Sequence, residues 1–142
     1  MIQTVIDGIC LTLNTHFGDS YAIYTEDVSQ GLTTPCFFIA ALSPSQNYGA
    51  SGRYVRKHPV DIHYFPKPDT PYADMYEMAS DLFEVLEFIT LENGDKARAF
   101  DMHYQIIDGI LHFFVRYDLF LQSVESVDGM DTLDVQNNIM KG

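Results

Sequence analysis

The sequence predicts an α+β fold in which two main helices pack on a mainly antiparallel sheet, in the order α-β-β-β-α-β-β. Three patterns carry that expectation. An apolar stripe at helical spacing opens the chain, a second follows PKPDTP, and alternating runs flank the dipeptide Asp108-Gly109. Runs of strands interrupted by separate helices, rather than strict β-α alternation, are the mark of α+β domains. The 142 residues fit one domain, since domains usually run about 100–200 residues, and a chain that is 46% hydrophobic can build its own core.

Ile2, Val5, Ile6, Ile9 and Leu13 lie on one helical face, so the first helix is expected from about Ile2 to Phe17, ending near Gly18. Tyr21 to Glu26 reads as a short strand, and the continuous apolar run Cys36 to Leu42 as a strand covered on both faces. SPSQNYGASG, residues 43–52, reads as a long polar loop. Arg53 to Phe65 is a long strand in which Pro59 removes a ladder donor and predicts a bulge or an edge position. Thr70 as N-cap and Pro71 at the first helical position start the second helix. Its stripe is Tyr72, Met75, Tyr76, Ala79, Leu82, Phe83 and Leu86, with Asp74, Glu77, Asp81, Glu84 and Glu87 off it.

Asn93-Gly94 marks a turn, and Asp108-Gly109 marks a two-residue hairpin. That turn pairs Ile106 with Leu111, Tyr104 with Phe113, Met102 with Val115 and Phe100 with Tyr117, and sets Asp101 opposite Arg116. Residues 1–122 thus form the domain. Residues 123–142 are a weakly patterned acidic tail that a partner is expected to order.

Twenty acidic residues against eight basic ones give a formal net charge of −12. Such a surface repels phosphate, which argues against a basic groove that holds nucleic acid. MIQTVIDGIC lacks a basic n-region, so no signal peptide is expected. No apolar run approaches the ~20 residues of a membrane span, and assembly in the cytoplasm is the expectation. Cys10 and Cys36 lie in apolar stretches and are expected to be buried thiols.

No pattern asks for catalysis. GASGR around Ser51 is not a nucleophile elbow, and no phosphate or dinucleotide fingerprint occurs. His16, His58, His63, His103 and His112 show no metal-ligand spacing. His63, His103 and His112 fall on the less apolar face of expected strands and could converge across a sheet, but solvated or interface histidines are the expected reading. An enzyme, a cofactor and a metal are therefore not expected. Two features point instead to an interface. Phe114 and Phe120 alternate with His112, Arg116 and Asp118 on the supposed outer face, covered either by a helix or by another subunit. Arg53, Arg56 and Lys57 gather three of the eight basic residues in RYVRKH, a pole suited to an acidic neighbour.

The stretch YAIYTEDVSQGLTTPCFFIAALSPSQN, with its continuation at Gly52 to Tyr54, resembles a family of phage tail terminators. VDIHYFP and YQIIDGILHFFVRYDLF resemble later blocks of the same family, which is that of contractile-tailed phages and tail-like particles of Gram-positive bacteria. The resemblance runs from the first helix to about Phe120. It implies a hexameric ring on the head-proximal end of the tail tube, which stops tube polymerisation and joins the tail to the head connector. Its implied partners are further copies of the chain, the tube protein, sheath and connector proteins, and DNA only by passage through the lumen; no membrane is involved. It carries no catalytic residues. The expected mediators are the 43–52 loop with Asn47 and Tyr48, the basic residues Arg53, Arg56 and Lys57, Phe114 and Phe120, and the acidic tail. The rival readings are a head–tail connector or tail-completion protein of the same particle, and a small ligand-binding domain.

Overall fold

The long strand expected at Arg53–Phe65 has those bounds in the computed structural model, which describes residues 2–25, 31–125 and 133–135. The elements are α1 (Ile2–Phe17), β1 (Ala22–Tyr24), β2 (Cys36–Ala41), β3 (Ser45–Tyr48), β4 (Arg53–Phe65), α2 (Tyr72–Val85), β5 (Phe88–Thr90), β6 (Lys96–Ile107), β7 (Ile110–Glu125) and β8 (Leu133–Val135). The class is α+β. The sheet runs β1-β2-β4-β7-β6-β5, with β3 added to β4 and β8 to β7. It is mixed, because β1 pairs parallel to β2 while the other pairs are antiparallel.

Period two sorts the side chains of β7 into two faces. Leu111, Phe113, Val115, Tyr117, Leu119 and Leu121 are buried. Val60, Ile62 and Tyr64 stand beside three of them across the ladder, and Phe37 and Ile39 continue the face on β2. Both helices cover this inner face. Val5, Ile6, Ile9 and Leu13 of α1 and Met75, Met78, Ala79 and Leu82 of α2 join one core with it. Gly8 lets α1 lie almost against β5: a Cβ there would meet the Thr90 carbonyl oxygen at 3.0 Å.

Several expectations are corrected. The order contains three further strands. Residues 45–48 of the expected loop form β3, whose partner is the start of β4, and a turn at residues 50–52 with Ser51 and Gly52 at positive φ closes the hairpin. SQNY has no apolar alternation, so only backbone pairing reveals it. β5 was hidden at the end of the α2 stripe. β7 runs on to Glu125 and pairs with β8, past the boundary expected at 122; residues 126–132 and 136–142 of the tail lie outside the described residues, as do residues 26–30. Pro59 is at neither a bulge nor an edge. It falls where β2 stops and β3 begins as neighbours of β4, and its carbonyl accepts from the Leu42 N–H at 3.0 Å, so the missing donor faces a gap in the ladder.

Thr70 is not the N-cap of α2; its hydroxyl donates to the Lys67 carbonyl at 2.5 Å and Pro71 takes the cap position. Tyr72 and Tyr76 are exposed and Met78 is buried in their stead, because the sheet covers a slightly rotated stripe. The Asp108-Gly109 turn forms with both residues at positive φ, and Ile106↔Leu111 and Tyr104↔Phe113 pair as expected. Beyond His103↔Phe114 the register slips, so that Phe100 pairs with Arg116 and Ala99 with Tyr117. Asp101 and Met102 then stand together opposite Val115, with Asp101 at φ 55°. Such a bulge flips the faces. Ala97 and Ala99 turn into the core, and Phe100 turns out, where the Arg116 guanidinium lies 5.3 Å from its ring. The expected Asp101–Arg116 ion pair survives the slip.

Cys36 is buried and Cys10 half-buried, both as free thiols, and burial pushes both pKa values up. Tyr117, wholly buried, donates to the Leu86 carbonyl at 2.6 Å and so ties the end of α2 to the central strand. His58, opposite Tyr117 and 2% exposed, has neither ring nitrogen bonded. Burial first, then positive charge including Arg56, holds its pKa below the ordinary histidine value.

Two stability predictions follow from the inner face. Tyr117→Phe leaves the buried Leu86 carbonyl unpaired and is expected to cost about 1–3 kcal/mol in denaturant unfolding. A histidine with a lowered folded pKa binds its proton more readily in the unfolded chain, so stability falls as pH drops below about 6.5. His58→Met is expected to flatten that loss, read as a smaller decrease in melting midpoint between pH 7 and pH 5 than in the parent chain.

Candidate interaction surface

β6 leaves β7 after the Ala99↔Tyr117 pair to join β5, while β4 and β7 run on together to Arg53↔Gln122. The divergence opens a groove of about 720 Å³. Among the described residues, β6 does not pair with β7 beyond Tyr117, and β8 pairs with β7 only at Ser123 to Glu125. Among these residues, the stretch of β7 beyond Tyr117 thus has no strand on its β6 side, an arrangement that suits the addition of a further strand.

Four of the residues expected at an interface, Asn47, Tyr48, Arg53 and Phe120, line this groove. Tyr48 is 79% and Phe120 52% exposed, and large apolar side chains so open on one concave surface mark a contact region. Lys96 and Arg98 at the start of β6 also line it, as do Asp95 and Asp118. Sequence reasoning missed Lys96 and Arg98, because nothing in the chain order shows that β6 begins beside the end of β7.

RYVRKH does not form one patch. Period two puts Arg53 and Lys57 on the outer face and Arg56 on the inner one. Arg56 donates from Nε to Gln46 Oε1 at 2.6 Å, and Gln46 donates to the Tyr48 hydroxyl at 2.9 Å, so Arg56 braces the groove wall. Lys57 pairs across the ladder with Asp118. Asp118 in turn receives both Nε and Nη2 of Arg116, at 2.7 and 3.0 Å. Ser51 sits in the β3–β4 turn, where its carbonyl accepts from Gln122 at 3.3 Å.

Phe114 lies away from the groove on the outer face, half-buried under the stacked ring of His103 at 4.9 Å. Both helices pack on the opposite face, so neither of them covers Phe114 or Phe120. His63 and His112 face each other across β4 and β7, with ring centroids 4.4 Å apart. His63 Nε2 lies 2.9 Å and His112 Nδ1 3.1 Å from the same oxygen, Oδ2 of Asp61. Burial works to raise the Asp61 pKa, but the hydrogen bonds from His63 and His112 outweigh it and hold the carboxyl below its ordinary value. His103 does not join them. Asp61, His63 and His112 have the residue types and the closeness to hold a metal ion, with their ligand atoms all within 4.8 Å of one another. The sequence hid this group because Asp61 lies 51 residues from His112.

The family model for phage tail terminator protein matches residues 4–129. No curated protein matches the chain. Among the described residues, no helix is long and apolar enough to cross a membrane.

Proposed function

The chain belongs to the phage tail terminator family, and on that premise we propose that it closes the head-proximal end of a tail tube as a ring, six subunits by the resemblance. The ring stops tube polymerisation on one face and offers the other to the head–tail connector, with sheath as a further neighbour. The role is one of selective binding and not of catalysis. It belongs in a tail or tail-like particle.

The observation that supports this reading best is the groove between β6 and β7. It carries Arg53, Lys96 and Arg98, three of the eight basic residues, against Asp95 and Asp118, only two of the twenty acidic ones, in a chain with net charge −12. The exposed face of α2 supplies an opposite surface, with Asp74, Glu77, Asp81 and Glu84 beside Tyr72 and Tyr76. A basic groove on one subunit against an acidic, tyrosine-bearing helix on the next is a heterologous contact, the kind that closes rings. Charge complementarity of this sort selects partners and sets register. The remaining acidic surface leaves a lumen that DNA passes without adhering.

A ligand-binding domain is the second reading, since the groove's volume falls in the range of about 300–1,000 Å³ that small-molecule sites occupy. It requires a monomer that ignores tail tubes. A connector role requires co-purification with neck components instead of tube.

The solution mass, alone and with the cognate tube protein, separates these readings. The terminator predicts a hexamer, or a monomer that forms a ring only on tube ends and halts their growth. Arg53→Glu with Arg98→Glu is expected to weaken ring formation at least about tenfold, because like charges then meet across the contact. Adding Glu77→Lys and Asp81→Lys to the same chain is expected to restore it. Unchanged assembly in the double variant would remove the groove from the ring contact.

A further inference from the structure

We propose that Asp61, His63 and His112 form a binding site for one divalent ion of the zinc class, held on the sheet face opposite the helices. Two imidazoles and one carboxylate are a donor set that suits zinc and its neighbours.

The ladder builds the site. His63 and His112 are direct partners across β4 and β7, and Asp61 precedes His63 by two residues on the same face. All three side chains therefore start from fixed backbone positions and point to one place. Their ligand atoms lie within 4.8 Å of one another, with the two histidine nitrogens 2.9 and 3.1 Å from Asp61 Oδ2. In a tetrahedral zinc site with bonds near 2.0–2.1 Å, ligand atoms stand about 3.3 Å apart. The hydrogen-bonded pairs thus need to open by only a few tenths of an ångström. Neutral imidazoles accommodate the ion by moving each proton to the other ring nitrogen, and no net proton is released.

A second observation points the same way. Asp61 is only 8% exposed, and its Oδ1 is buried without a hydrogen-bond partner. A buried carboxylate that leaves one oxygen unused is an unsatisfied acceptor of the kind folded proteins avoid, and an ion bound by both carboxylate oxygens would use it. Phe38 and Phe65 lie 5.7 and 6.1 Å from the His63 ring, and Phe114 lies 6.3 Å from that of His112. These rings flank the group, whose His63 and His112 side chains stay 23% and 17% exposed and so leave an entry path for the ion. Three protein ligands leave the fourth position to water in the isolated chain, and the ion staples β4 to β7.

The test uses the full chain, stripped with a chelator and titrated with zinc by calorimetry, then with cobalt to read the visible bands of a tetrahedral site. One ion per chain is expected, with a rise in melting midpoint that chelator reverses. His63→Gln retains an N–H for Asp61 but removes the imidazole, and His112→Gln removes the other. Each is expected to weaken binding at least about tenfold, since even outer partners of metal ligands typically cost 10–100-fold. His103→Gln, outside the group, is expected to bind as the parent does. If His112→Gln does not fold, His63→Gln decides alone. Failure to take up one ion per chain, or equal affinity in His63→Gln, overturns the site and leaves the three residues as a hydrogen-bonded network. Ring assembly is read separately by mass, so this result does not depend on the terminator reading.

Discussion

Twelve consecutive residue pairs, from Arg53↔Gln122 to Tyr64↔Leu111, lock β4 to β7 through the middle of the sheet. Because the side-chain period of a strand is two, that one register decides which residues enter the core and which face away. A slip by one would exchange Ile62 and Phe113 for His63 and His112, putting imidazoles against α2 and phenylalanine in water. The burial of six alternate residues of β7 makes that slip prohibitive, each large apolar side chain contributing about 1.5–3 kcal/mol when removed from water. The ladder's register is therefore fixed by the inner face, and the outer face inherits it.

Two local features let the rest of the chain fit this ladder. The turn between α2 and β5 is held from both sides, by the Tyr117 hydroxyl on the Leu86 carbonyl and by the Ala99 N–H on the Glu87 carbonyl at 2.8 Å. The bulge at Asp101 and Met102 lets small Ala97 and Ala99 face the core beside β5 while Tyr104 and Met102 meet the helix side further along. A regular β6 would have driven Phe100 into the place of Ala99. The extra residue bends β6 away from β7, and that bend is what opens the groove.

Much of this was legible in the sequence wherever a periodic apolar pattern spans the whole element. α1, β4 and the turn at Asp108-Gly109 stand where their patterns put them, and α2 starts one residue later than its cap signals suggest. The misses share a cause. β3 is a polar strand that pairs through its backbone, β5 is three residues long, and the bulge is a choice between Phe100 and Ala99 that only the packing of β5 decides. The interface candidates divided in the same way. Tyr48 and Phe120 were legible as apolar residues in polar settings, but their meeting in one groove depends on where β6 departs. Asp61, His63 and His112 required the β4–β7 pairing itself, because no short spacing unites them.

The same ladder separates two tasks by distance along its length. The groove lies toward the Arg53–Gln122 end and the Asp61 group near the Tyr64–Leu111 end, with only His58 to Val60 between them. In the proposed ring, a subunit would benefit from that separation. The proposed contact surface carries exposed Tyr48 and Phe120 and, among the described residues, a strand edge without a partner, features that by themselves invite indiscriminate pairing. Short length and charge limit the hazard: among the described residues the edge without a strand partner spans only residues 118–122, and Arg53, Lys96, Arg98, Asp95 and Asp118 surround it. An acidic chain repels its copies everywhere except where this basic groove offers a complementary surface. On the proposed reading, net charge would turn an exposed edge from an aggregation site into one directional contact, and a directional contact between unlike surfaces is what a closed ring requires.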